Sequence, residues 1–206
     1  MYARSSTFVA ETPSLDRGIA FVSDDLMGEM LALDGCVGLS LLVDRRTGRC
    51  VATSSWQSQE SMRASGPAVE PIRARLLSAF DGSDLTNEEW EVAIMHRDHR
   101  SPTGARVRAS YMRGDPSRAG QVTETFKSTL PAIEGFPGFC SASLLLNRDS
   151  GRSVWNVIFD SDDGLAQTRE RANQLRADAA GRMGSDIIEV AEFELAFAHL
   201  RVPELV

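Results

Sequence analysis

Two histidines, His96 and His199, stand at matching places in this chain, each after a run that alternates apolar and acidic residues. Imidazole titrates near neutrality, so a histidine at a strand end is suited to take the proton from a phenol and leave an anion for oxygen to attack. The same place equally suits a solvated, hydrogen-bonded side chain. Trp56, Tyr111, Trp155 and Phe159 are the candidates for substrate binding, because flat ligands stack on such rings, although cores are filled by them just as readily. Glu91 and Glu194, with Arg4, Arg106 and Arg108 expected nearby, suggest ion pairs across one sheet face that set orientation more than stability. His99 falls in a polar linker and suggests no role. The chain carries no nucleophile elbow, phosphate loop, dinucleotide fingerprint or metal-ligand cluster, so neither a metal nor a cofactor is expected.

These side chains sit in a chain of 206 residues whose 29 acidic and 22 basic groups give a net charge of −7. Lysine and arginine form no run that would follow a phosphate backbone, which argues against nucleic acid as a partner. Cys36, Cys50 and Cys140 are odd in number and far apart, and read as small apolar residues rather than zinc ligands. No stretch is apolar for long enough to span a membrane, and the opening residues lack the plan of a signal peptide; a cytoplasmic location is the expectation.

The elements that must position the candidates come from a repeat. Laid over itself at an offset of about 103 residues, the chain matches from its first strand to its last. Ser40-Leu41-Leu42 falls on Ser143-Leu144-Leu145, Gly48-Arg49 on Gly151-Arg152, Arg73-Ala74 on Arg176-Ala177, and Glu89 and His96 on Glu192 and His199. Each copy reads β-α-β-β-α-β. Thr12-Pro13 and Asp115-Pro116 offer a cap and a first-turn proline to the first helix. Its buried stripe is expected at Ile19, Met27 and Met30, and at Val122, Phe126, Leu130 and Ile133. Gly48 and Gly151 close hairpins between the second and third strands, and Ser58 and Ser161 cap the second helix. Ser65-Gly66-Pro67 and Pro71 are expected to break that helix in the first copy, while the second runs through. The copies are placed at 1–96 and 105–206, with 97–104 as linker.

The fold class is therefore α+β: two ferredoxin-like repeats whose antiparallel sheets pack face to face. Two segments add a family likeness. Asp34-Gly35-Cys36 with Phe136-Pro137-Gly138-Phe139, and Trp56-Gln57-Ser58-Gln59-Glu60-Ser61-Met62 with its echo Phe159-Asp160-Ser161-Asp162-Asp163-Gly164-Leu165, resemble steps of the antibiotic biosynthesis monooxygenase-like group of dimeric α+β barrels. The resemblance implies an intramolecular barrel, an internal pseudo-dimer open to further homodimerisation, and a ligand pocket between sheet and helices. It also implies a small hydrophobic or aromatic molecule as ligand. Haem-degrading members carry a histidine on the second helix and an asparagine on the first strand; positions 59–80 and 162–183 hold no histidine, and neither Tyr2–Ala10 nor Arg106–Arg113 holds an asparagine. Three readings follow: a cofactor-independent monooxygenase of a small aromatic or polyketide-like substrate, a non-catalytic binder of a hydrophobic molecule, or an interaction scaffold.

Overall fold

The computed structural model describes residues 1–200 and Leu205. In the first copy the order is β1 (Tyr2–Val9), α1 (Leu15–Phe21), a π turn (Val22–Leu26), α2 (Met27–Leu31), β2 (Cys36–Val43), β3 (Arg49–Trp56), α3 (Gln59–Ala64), α4 (Gly66–Ala79) and β4 (Ser83–Arg97). The second copy gives β5 (Arg106–Arg113), α5 (Ala119–Glu134), β6 (Phe139–Asn147), β7 (Arg152–Phe159), α6 (Asp162–Gln167), α7 (Arg169–Met183) and β8 (Asp186–Leu200). The strands close into a barrel in the order β1-β3-β2-β8-β5-β7-β6-β4, with the β1/β3, β2/β3, β2/β8, β4/β6, β5/β7 and β6/β7 pairs antiparallel.

Two compact units emerge: Met1–Trp90 with the strand end that begins at Glu194, and Glu91–Phe193. In the first unit, Leu39, Leu41 and Val43 of β2 pack with Phe8, Val22, Leu26, Met30, Ile72 and Phe80. In the second, Phe126, Leu130 and Ile133 of α5 pack with Met112, Leu144, Trp155 and Phe159. Both cores follow from strand alternation of period two meeting helical stripes of period 3.6. The hairpin glycines take the left-handed φ values the turns require, +76° at Gly48 and +67° at Gly151. A Cβ at Gly48 would lie 2.2 Å from the Ala10 carbonyl oxygen, so no other residue fits there.

The structure corrects five expectations. The repeat is not in one register throughout. β1 and β5 correspond at an offset of 104, since Arg4 opposite Ser54 matches Arg108 opposite Val157, whereas Gly35 and Gly138 return to 103. The extra residue of the first copy is taken up by the π turn inside its first helix, where i→i+5 bonding accommodates one more residue per turn. The buried stripe there is accordingly Leu15, Val22, Leu26 and Met30; Ile19 and Met27 are only half-buried. At the same end Asp115 accepts from the Ser117 N–H as expected, but the first copy's turn starts one residue earlier, after Glu11, with no side-chain cap.

The second helix is interrupted in both copies, at Ser65 and at Thr168, and Pro71 lies inside an unbroken α4. Proline is thus not the common cause. In each copy a hydroxyl turns back on the carbonyl three residues earlier, Ser65 Oγ to Met62 O at 2.7 Å and Thr168 Oγ1 to Leu165 O at 2.9 Å. A buried arginine claims the same carbonyl: Arg4 Nη2 donates to Met62 O at 2.8 Å and Arg108 Nη2 to Leu165 O at 2.7 Å. Drawing that carbonyl out of the helix ladder ends α3 and α6.

The ion pairs also differ from expectation. Arg4 pairs with Glu89 and Arg108 with Glu192, both at 3.0 Å, and Arg106 pairs with Asp162. Glu91 and Glu194 are held instead by Arg148 and Arg45 at the hairpins.

Candidate site in the second unit

A cavity opens in the second unit between β5 and β7 on one side and α5 and α7 on the other. The centre of a water-sized sphere can move through about 30 Å³ of it, and about 400 Å³, adjoining solvent at the open mouth included, is free of protein atoms. Alternation along β7 turns Trp155, Val157 and Phe159 to it, and alternation along β5 adds Arg108 and Ser110. Ile133 and Thr129 come from α5, and Leu175 and Arg176 from α7, with Phe136 following α5. The walls are mainly apolar and aromatic, which suits a flat hydrophobic molecule.

The polar groups are few and unevenly satisfied. Arg108, 3% exposed, spends its guanidinium on Leu165 O, Thr168 Oγ1 and Glu192, and lies 5.5 Å from the Phe159 ring centroid. Glu192 is shared with Arg169, whose Nη2 is 2.7 Å from the other carboxylate oxygen. Arg176 is also buried, but it donates only to neutral groups, to Ser110 Oγ at 3.4 Å and to Asn173 Oδ1. Among the described residues no carboxylate stands within ion-pairing distance of it. Burial, and after it the neighbouring Arg108 charge, lowers the Arg176 pKa, with Glu192 opposing; a guanidinium nonetheless stays protonated at neutral pH. Trp155 meets the Phe126 ring edge-on at 4.7 Å, and its Nε1–H is buried with no hydrogen-bond acceptor.

Of the residues singled out from sequence, Trp155 and Phe159 line this cavity. Tyr111 is half-buried and alternates with Arg108, Ser110 and Met112, which puts it on the other face of β5. Trp56 is fully buried in the core of the first unit, and its Nε1 donates to Ser54 Oγ at 3.0 Å. His96 is outside the cavity lining: Nε2 is 2.8 Å from Glu134 Oε1, and the ring stacks on Phe139 at 6.2 Å. His199 is half-buried in the first unit, where Leu31 stands in the place of Glu134, and its Nε2 has no hydrogen-bond partner.

Neither arginine was assigned to a ligand site from sequence, Arg108 having been read only as an ion-pair candidate for Glu91 and Glu194. Arg176 was in view as the partner of Arg73 in the repeat, without a reason to assign it a role. Arg108 was hidden as the partner of Arg4, because the two match only at the offset of 104.

No family model matches the chain. Two Mycobacterium tuberculosis (strain ATCC 25618 / H37Rv) proteins align with all of it: uncharacterized protein Rv2557, 50% identical, and uncharacterized protein Rv2558, 49% identical. The chain covers 92% and 88% of their respective lengths. It belongs to their family. Solved structures add the fold. An anthrone oxidase-like protein superposes with a TM-score of 0.69 at 15% identity, covering 97% of this chain and 92% of its own. A Listeria monocytogenes 4b F2365 ferredoxin-fold protein related to antibiotic biosynthesis monooxygenases superposes with a TM-score of 0.55 at 10% identity, covering 95% of both chains. The eight-stranded closed barrel of this chain therefore shares the α+β barrel fold of these two structures. No helix among the described residues is long and apolar enough to cross a membrane.

Proposed function

We propose that the chain holds a small aromatic molecule in the cavity of the second unit and promotes its oxygenation by O2 without a cofactor. The aromatic lining by Phe136, Trp155 and Phe159, beside a buried guanidinium, carries this reading. In such a reaction the substrate is its own reductant. A methylene or phenol loses a proton, and the anion passes electrons to O2; one oxygen atom ends in the product as a carbonyl and the other in water. The protein's share is to exclude water, to hold the ring, and to favour the anion through the positive charge at Arg176. His96, oriented by Glu134, remains the proposed base for this cavity, whereas His199 belongs to the first unit and would serve only a site there.

The likeness to an anthrone oxidase-like protein supplies a test compound. Anthrone plus O2 should give anthraquinone plus water one-for-one, faster than in protein-free buffer, with the gain falling at least about tenfold in Trp155→Ala. His96→Ala reads the base: an unchanged rate removes that histidine from the mechanism. The position of both histidines outside the cavity lining favours a second reading, that of a binder without catalysis. That reading takes over if anthrone binds but the oxygen uptake equals that of buffer.

A further inference from the structure

We propose that the cavity of the second unit is an anion receptor, taking an aromatic molecule through a carboxylate or enolate held by Arg176 and the indole N–H of Trp155. This deepens the reading above and rests on its claim that the cavity takes an aromatic body.

The argument is one of charge and of unmet hydrogen bonds. A buried charge without a partner is costly, and folded proteins pair such groups or bind something that does. Arg108 meets this rule through Glu192, but Glu192 is already shared with Arg169, leaving Arg176 with two neutral acceptors. Trp155 Nε1–H is a second donor, buried and unused, on the same cavity wall. One unmet donor at Trp155, beside a guanidinium whose hydrogen bonds go only to the neutral Ser110 and Asn173, set in apolar and aromatic walls, matches an anion that is attached to a ring.

The first unit shows what the same scaffold does when the charge is cancelled internally. Arg73 there corresponds to Arg176, and Glu70 to Asn173. Arg73 Nη1 lies 2.6 Å from Glu70 Oε2, so the guanidinium has a carboxylate of its own. At the place of Trp155 the first unit has Ala52, which offers no donor. The exchange of Glu for Asn and of Ala for Trp converts a self-neutralised position into one that requires an external anion.

The test compares 2-naphthoate with its neutral analogue 2-naphthamide by calorimetry on the full chain at pH 7. Naphthoate should bind about ten- to a hundredfold more tightly, the range expected of a charge-assisted contact. Asn173→Glu restores the internal pair of the first unit at an exposed position and should bring naphthoate down to the level of naphthamide; Arg176→Gln should do the same. Equal affinities in the unaltered protein overturn the anion inference and leave the aromatic cavity standing. A naphthoate preference that survives Asn173→Glu overturns it as well. If neither compound binds, the cavity reading itself fails and this inference falls with it.

Discussion

In the first unit Trp56 is sealed into the core with its indole nitrogen bonded to Ser54, and Arg73 is neutralised by Glu70. In the second, Phe159 takes the place of Trp56, a tryptophan appears two turns of the pleat earlier at Trp155 with its N–H unused, and Arg176 faces Asn173. What the copies share is the frame. The Arg4–Glu89 and Arg108–Glu192 pairs, the two hydroxyl-bonded helix breaks and the Ser58 and Ser161 caps are the same device built twice. A duplicated frame thus keeps the buried polar groups that define it, because leaving one half of such a pair alone is expensive, while the surfaces inside it diverge. In the function proposed above, the divergent part is what would bind the ligand.

The strongest way to break this comparison is to change helix length. Deleting exposed Asp24 removes the extra residue of the π turn and makes the first helix match α5, so stability should change by less than about 1 kcal/mol. Deleting exposed Ser128 from α5 turns one half of its stripe by about 100° and should prevent cooperative folding. Urea titrations followed by circular dichroism distinguish the two; equal damage would mean that the π turn is required rather than merely accommodated. Next in size are the tryptophans. Trp56→Ala empties a fully packed site and should cost about 3–5 kcal/mol, whereas Trp155→Ala, beside existing space, should cost about 1–2 kcal/mol less. A reversed order would place the looser packing in the first unit.

The smallest difference concerns the hairpin arginines. Arg148 meets Glu91 at 2.5 and 2.9 Å, and Arg45 meets Glu194 and Asp16. Their exposure limits each to less than about 1 kcal/mol. The Arg148 hydrogen bonds hold the Glu91 pKa below the usual value, with burial opposing. A depressed carboxylate pKa contributes stability above its unfolded value of about 4.3, and that contribution is lost as the pH falls through the folded value. Arg148→Ala should therefore destabilise the protein at pH 7 and hardly at all at pH 3. Thermal melts of the variant and the unaltered protein at the two pH values check this.

Much of the frame was legible in the residues. Alternation in Val37–Val43 and Trp90–Ile94, the serine caps and the hairpin glycines each act within a few residues, so local pattern is enough to find them. The stripe of α5 was readable for the same reason, and that of the first helix was not, because a one-residue π turn shifts every apolar position after it. The break of the second helix was misread for a related reason: it looks like proline chemistry locally, but it is set by arginines 58 and 57 residues away in sequence. At the site, aromatic side chains announced Trp155 and Phe159, whereas nothing local distinguishes Arg176 from a surface arginine.

By itself, then, the sequence determined the repeat, the order of elements and the class of fold, since each depends on short-range periodicity repeated twice. Only the tertiary structure decided which carboxylate meets which arginine. That assignment depends on the register between strands and helices distant in the chain, where a shift of a single residue exchanges one partner for another.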